Sequence, residues 1–235
     1  MKIEVKYFAF FRQQIGRTSD EINLPNPATV ADLLNSLRTI YPGVKDALNT
    51  AQISVNMEFV SLDTPLSARD EVALIPPVSG GNVNSNELGL FKITDTTITV
   101  QDVTKPIRGN DAGAVVTFLG TVRDNTMGRA TAYLEYEAYA PMAEKKMAEI
   151  ANEARDKWGI KRMAMIHRVG RLEIGQVSVA VGVASPHRKD GFEACQYAMD
   201  RLKQIVPIWK REVWCDGEEE WVKPDPVYFQ NSLNR

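Results

Sequence analysis

The first third of the chain alternates between short strand patterns and one helix pattern. Residues 3–8 and 20–24 alternate apolar and polar side chains, and residues 53–56 and 71–75 form later apolar runs, so all four predict β-strands. Thr29 suits a helix N-cap. Behind it, apolar side chains recur at helical spacing and predict one amphipathic helix: Val30, Leu33, Leu34, Leu37 and Ile40. The pattern predicts a β-grasp domain, a small sheet wrapped around one helix.

The rest of the chain has a mixed pattern. Strand-like apolar runs occupy residues 114–122, 131–139, 163–169, 177–184 and 209–215. Pro141 and Gly159 suit the first turn and the end of one helix. A second helix is predicted over about 189–206, with a core stripe made by Phe192, Cys195, Met199, Leu202 and Val206. The chain as a whole is therefore predicted to be α+β, with a mixed α/β second domain.

The clearest break between the two patterns is residues 79–89. This stretch is rich in Gly, Asn and Ser and holds few large apolar side chains, which is typical of a linker. We therefore predict a first domain over residues 1–81, a flexible linker over 82–90 and a second domain over 91–235.

Composition excludes several classes of protein. The net charge is -2, so no global field favours nucleic acid or anionic lipid. Two cysteines, Cys195 and Cys215, exclude a disulfide scaffold and a cysteine-rich zinc site. The first residues do not resemble a signal peptide, and no apolar run is long enough to span a membrane. We expect a cytoplasmic protein that binds neither nucleic acid nor membranes.

Gly80 and Gly81 follow the last predicted strand of the first domain. A Gly–Gly pair is most often a flexible linker, but a tail without Cβ atoms can also enter a narrow slot. Residues 1–81 resemble the small, ubiquitin-like subunit of molybdopterin synthase in their opening strand, the helix behind Thr29 and this ending. The resemblance implies that Gly81 carries sulfur as a C-terminal thiocarboxylate, after adenylation by an E1-like partner enzyme.

The second domain resembles the large, catalytic subunit of the same enzyme. The matching motifs are Phe118–Arg123, Ile166–Gly170, Ser185–Arg188, Phe192–Ala194 and Ile208–Glu212, within a match from about Phe91 to Pro224. Several separated motifs in the same order make this a specific signal. It implies a hammerhead-type fold and a substrate, cyclic pyranopterin monophosphate, that receives two sulfurs to form the dithiolene of molybdopterin.

Without the resemblance, each basic residue in these motifs could be an ordinary surface residue. Lys203 in particular would be interpreted as a solvated surface lysine. The resemblance implies that Lys203 and Lys210 are catalytic. It also implies a set of residues that bind the phosphate and pterin of the substrate: Arg123, His187, Arg188, Arg211 and Glu212. On a strand, Lys210 and Arg211 are predicted to point to opposite faces. No metal or redox cofactor is implied, because the sulfur arrives on Gly81.

The chain departs from the two-chain family at Gly81, where a peptide bond to Asn82 replaces a free carboxylate. The chain is cleaved after Gly81, or a separate carrier serves the second domain, or the fusion is an inactive form. We favour cleavage, because the linker is an easy target for a protease. The resemblance implies a homodimer through the catalytic domain, or a heterotetramer after cleavage. The rival hypothesis is a non-catalytic sulfur-relay or ubiquitin-like modifier with a docking domain.

Overall fold

The computed structural model describes residues 1–76 and 89–222. The chain divides into two compact units, Met1–Asn82 and Val83–Arg235. Gly80, Gly81 and the predicted linker up to residue 88 lie outside the described residues, as do residues 223–235. The exact domain boundaries therefore stay predictions. Within the described ranges, no helix combines the length and apolar character that a bilayer span requires.

The first unit is a five-stranded sheet with one long helix. Its elements are β1 (Lys2–Tyr7), α1 (Ala9–Ile15), β2 (Ser19–Asn23), α2 (Val30–Ile40), β3 (Gln52–Val55), β4 (Glu58–Val60) and β5 (Glu71–Ile75). The strand order is β2-β1-β5-β3-β4, with β1 and β5 parallel. This is the predicted β-grasp arrangement. The predictions missed β4, which has three half-buried residues and too little apolar pattern to stand out.

Thr29 begins α2 with a capping box. The backbone N–H of Thr29 donates to the Asp32 carboxylate at 2.8 Å, and the Asp32 N–H donates to the Thr29 hydroxyl at 3.4 Å. These bonds satisfy helix N–H groups that have no partner within the helix. The apolar face of α2 packs into a core shared with β1 and β5. The sequence prediction for this helix is confirmed.

Over its described residues, 89–222, the second unit holds two sheets and three helices. Its elements are β6 (Phe91–Thr94), α3 (Val100–Thr104), β7 (Ala114–Thr121), β8 (Asn125–Thr126), β9 (Arg129–Ala138), α4 (Ala140–Trp158), β10 (Arg162–Arg168), β11 (Gly170–Glu173), β12 (Val177–Ser185), α5 (Arg188–Ile205), β13 (Ile208–Trp214) and β14 (Glu219–Trp221). The first sheet has the order β6-β10-β12-β7, and the second has the order β11-β9-β13-β14 with β8 paired to β9. The predicted mixed α/β content is confirmed.

The helices α4 and α5 pack on one face of the first sheet, and α3 packs on the other. Along β12, Val181 and Val183 point into the core under α4 and α5, while Ala180 and Ala184 point towards α3. This alternation with period two explains why the strand reads as a continuous apolar run. In the strand order β6-β10-β12-β7, β7 is an edge strand of the first sheet.

One predicted core residue of α5 is wrong. Phe192 is 63% exposed. The buried stripe of α5 is instead centred on small side chains, including Ala194 and Ala198, which allow α5 to approach α4 and the sheet closely. Phe192 lies at the margin of this stripe, at the beginning of the second turn of the helix. Met199 is half-buried, whereas Cys195 and Leu202 are buried as predicted.

Candidate functional site

The two lysines predicted to be catalytic lie on either side of one chain reversal. Lys203 is exposed in the last turn of α5, and Lys210 lies near the start of β13. Only Val206 and Pro207 separate the helix from the strand. The backbone N–H of Tyr139, at the start of α4, donates to the carbonyl of Pro207 at 3.1 Å. The end of α5 and the starts of α4 and β13 therefore meet at one corner, which we call the lysine corner.

Lys210 is paired with a buried carboxylate. Its Nζ donates to Oε1 of Glu212 at 2.7 Å, two residues further along the same face of β13. The Lys210 side chain is 29% exposed, whereas that of Glu212 is 3% exposed. The ammonium group is therefore accessible at the lysine corner, and the carboxylate lies beneath it.

On the β9 side of this ion pair the neighbouring groups are neutral, whereas Glu220 lies directly opposite Glu212 on β14. Tyr136 lies directly opposite Lys210 on β9. Burial raises the pKa of Tyr136, the nearby charge of Glu212 raises it further, and a hydrogen bond with Ser178 opposes the shift. The ring of His167 packs edge-on against Tyr136 at 4.9 Å between centroids, and burial lowers the pKa of His167 to about 4. Both side chains are therefore neutral near pH 7.

Arg211 points to the other face of β13, as the strand period predicts. Its guanidinium contacts the carboxylates of Glu135 and Glu219 and lies over the ring of Trp221. The carboxylates, Glu135 first, raise the pKa of Arg211, so the charge is permanent. The structure does not bring Arg211 to the face that carries Lys210. Glu212, predicted to bind substrate, is buried on that face instead.

Arg123 is exposed two residues beyond the end of β7. The preceding Val122 is buried against Leu134 and Leu172 of the second sheet. Leu134 lies directly opposite Glu212 across β9 and β13. The end of β7 is thus attached to the same face of the second sheet that carries Lys210.

His187 and Arg188 lie far from the lysine corner. His187 is the N-cap of α5 and Arg188 is its first residue, and both are exposed. Fifteen residues separate Arg188 from Lys203, and at about 1.5 Å per residue this places them about 22 Å apart along the helix. Within one copy of the chain, these two parts of the predicted site are not brought together.

Cys195 is buried, and burial raises the pKa of its thiol to about 11, whereas Cys215 is exposed. Residues 1–76 and 89–222 contain no cluster of His, Cys, Asp and Glu suited to a metal ion. Gly81, the predicted sulfur carrier, lies outside these ranges.

Comparison with known proteins agrees with both halves of the chain. Residues 93–205 match the family described as MoaE protein, and residues 5–81 match the ThiS family. The chain is 49% identical over 132 residues to a molybdopterin synthase catalytic subunit of Bacillus subtilis, covering 56% of this chain and 83% of that protein.

The chain belongs to the molybdopterin synthase family.

Solved structures of this family agree. A molybdopterin synthase structure from Staphylococcus aureus superposes with a TM-score of 0.54 at 46% identity, covering 57% of this chain and 96% of that one. A molybdopterin biosynthesis MoaE protein from Burkholderia ambifaria gives a TM-score of 0.52 at 34% identity, covering 62% and 99%. Both coverages are compatible with a family member that carries an additional N-terminal carrier-like unit.

Sequence reasoning missed two features of this family member. Tyr136 was part of a predicted strand, but its position opposite Lys210 depends on a strand register that the sequence does not reveal. Lys146 and Glu149 form an ion pair inside α4, with side chains 0% and 1% exposed. Two charged residues three apart beside an apolar stripe were the available signal, and such residues are normally solvated.

Proposed function

We propose that this chain is a molybdopterin synthase that transfers two sulfurs from a Gly81 thiocarboxylate to cyclic pyranopterin monophosphate. The observation that carries the proposal is the lysine corner, where Lys203 and Lys210 flank one chain reversal in a chain that also has a carrier-like unit. Clustered cations and hydrogen-bond donors are what an anionic, phosphate-bearing substrate requires. The sulfur reaches the substrate on the carrier, so this step uses no metal or redox cofactor.

In each transfer, the thiocarboxylate sulfur forms a bond to a carbon of the pterin side chain, and a carbon–oxygen bond at that carbon breaks, so that the displaced oxygen leaves with the bonding electrons as water or on the phosphate. Water then cleaves the bond between the Gly81 acyl carbon and sulfur, and the carrier leaves as a carboxylate. Lys203 moves protons during these steps, because it is exposed at the corner. Lys210 stabilises the negative charge that develops. Arg123 and Arg188 bind the substrate phosphate, and His187 contributes a further hydrogen bond.

The carrier must have a free carboxylate to be loaded. We propose that the chain is cleaved after Gly81 and that an E1-like enzyme adenylates the new C-terminus and exchanges oxygen for sulfur. An amide bond to Asn82 offers no carboxylate for this reaction. An intact mass spectrum of the protein from its host tests the idea. Fragments that separate after Gly81, the smaller one partly heavier by the exchange of oxygen for sulfur, are expected, and a single uncut chain contradicts it.

A complete site requires two copies of the second unit. The edge strand β7 exposes apolar side chains, with Val115 46% and Leu119 40% exposed. Arg123 follows one end of β7, while its other end pairs Ala114 with Ser185, just before His187. Antiparallel pairing of β7 with β7 of a second copy would place Arg123 of one copy near His187 of the other. We propose this homodimer, which becomes a heterotetramer after cleavage.

The direct test is a single-turnover assay with the chain cut after Gly81 and thiocarboxylated there. Lys203→Ala is expected to slow dithiolene formation by about 100-fold or more, the usual contribution of general acid–base catalysis. Lys161→Ala, a change at an exposed lysine of the same unit, serves as the control and is expected to keep wild-type rates. Wild-type rates in Lys203→Ala remove Lys203 from the catalytic role.

A further inference from the structure

Glu212 is an unusual neighbour for a site that binds an anion. Its residue is 2% exposed, and Oε1 accepts the Lys210 ammonium at 2.7 Å. Its second oxygen, Oε2, is buried and has no hydrogen-bond partner among the described residues. A buried carboxylate is strongly destabilised unless a cation compensates its charge. Such a residue is poorly placed to bind substrate directly, because the substrate would have to reach beneath Lys210.

The groups around Glu212 leave its compensation to Lys210. Tyr136, opposite Lys210, is a neutral phenol. His167, packed against Tyr136, is neutral near pH 7. Arg211, the next residue along β13, points to the opposite face and contacts other carboxylates. In the described structure, Lys210 is the cation that pairs with Glu212.

We propose that Glu212 is a positioning residue that keeps Lys210 as a fixed ammonium ion. The ion pair holds Nζ of Lys210 at 2.7 Å from a buried carboxylate. Lys210 therefore acts through a positive charge that is held in one place at the accessible side of the ion pair. Proton transfer then falls to Lys203. This inference rests on the proposed synthase function and divides the roles of the two lysines.

Substitution of a lysine by arginine distinguishes a residue that only supplies positive charge from one that transfers a proton, because the guanidinium stays protonated. In the single-turnover assay, Lys210→Arg is expected to keep at least about a tenth of the wild-type rate. The matched variant Lys203→Arg is expected to lose about 100-fold or more, since it keeps the charge but removes a group that can transfer a proton. Equal losses in the two variants would overturn the division of roles.

Glu212→Gln separates positioning from binding. It keeps the side-chain size and removes the charge that fixes Lys210. The rate at saturating substrate is expected to fall about tenfold or more, while the substrate Kd, measured without thiocarboxylate, changes less than about twofold. Asp156→Asn, which removes an exposed carboxylate on α4, is the control and should leave both values unchanged. A Kd raised about tenfold with an unchanged rate would instead make Glu212 a substrate-binding residue.

Failure of the proposed function would look different. A wild-type chain that binds the pterin phosphate but forms no dithiolene refutes the synthase. The ion pair can still be tested by a double-mutant cycle on unfolding with Lys210→Met, Glu212→Leu and the double variant. The single variant Lys210→Met is expected to be less stable than the double variant, because only the single variant retains an unpaired buried carboxylate. The reverse order would overturn the proposed pairing.

Discussion

At the scale of single residues, the buried ion pair of α4 makes a sharp prediction. Lys146 Nζ lies 3.1 and 3.0 Å from the two oxygens of Glu149. Lys146→Met is expected to lower the free energy of unfolding by about 3–5 kcal/mol, because it removes a cation that compensates the buried carboxylate of Glu149. Adding Glu149→Leu should restore most of this loss. All four tryptophans lie in the second unit, so their fluorescence during urea unfolding reports on it.

The control is an exposed ion pair on the same helix. Arg155 and Asp156 lie 3.4 Å apart, and their side chains are 44% and 74% exposed. Arg155→Met is expected to change stability by less than about 1 kcal/mol. A similar loss of unfolding free energy in Lys146→Met and Arg155→Met would mean that burial does not determine the cost of removing the cation.

His167 predicts how stability depends on pH. Burial lowers its pKa to about 4 in the folded protein, below the ordinary value of 6.5. Between these values the unfolded chain binds more protons, so the contribution of His167 is complete above pH 6.5 and is lost as the pH falls towards 4. The expected loss is about 3 kcal/mol. Urea unfolding at pH 7, 5.5 and 4.5 should show a weaker pH dependence for His167→Phe, and an unchanged dependence would contradict this origin.

For single residues, the sequence predicted burial correctly where the apolar character and helical spacing of the side chain were sufficient. Cys195 and Leu202 were predicted to be buried, and they are. Phe192 failed because the width of a buried helix stripe depends on the neighbouring helix. The Lys210–Glu212 pair could be anticipated only as two residues on one strand face. The burial that makes Glu212 unusual depends on the pairing of β13 with β9, which is distant in sequence.

At the scale of elements, strong periodicity and capping residues made most of the fold predictable. The predicted helix behind Thr29 and the predicted strand at 71–75 agree with α2 and β5. Short elements such as β4 and β14 have three residues each, too few to establish a period. The pairing of β7 only with β12 within the described residues, which leaves an edge, is a property of the sheet and not of either strand pattern.

The capping box of α2 can be tested within its own helix. Thr29→Ala removes the hydroxyl that accepts the Asp32 N–H and should destabilise α2 by about 1 kcal/mol. The measurement is hydrogen–deuterium exchange of the α2 amides, which should exchange about fivefold faster. Thr39→Ala, near the end of the same helix, is the control. It should change exchange little, because alanine favours a helix at an exposed position. Equal effects would show that the cap contributes nothing specific.

At the scale of the whole molecule, the length of α5 determines how far apart the two parts of the predicted site lie. Family membership could be anticipated from the sequence, whereas the roles of the seven described candidate site residues stay predictions. The separation of Arg188 from Lys203, about 22 Å, follows from α5 being continuous between them, as the helix predicted over about 189–206 implies. One copy supplies Lys203, Lys210 and Arg123 at one end of the sheet and His187 with Arg188 at the other. The proposed homodimer would combine residues of two copies in one site, and this can be tested without any structure of the dimer.

Two inactive variants should complement each other if the site is shared. Arg188→Ala and Lys203→Ala are each expected to abolish most activity alone. In mixed dimers, one of the two sites combines the intact Lys203 of one copy with the intact Arg188 of the other. Random assembly from equal amounts makes half of the dimers mixed, so about a quarter of the wild-type activity should return on co-expression. Lys203→Ala with Lys210→Ala is the matched control and should not recover, because both lysines lie at the same corner of one copy. Activity that fails to return in the first mixture would place the complete site within a single copy.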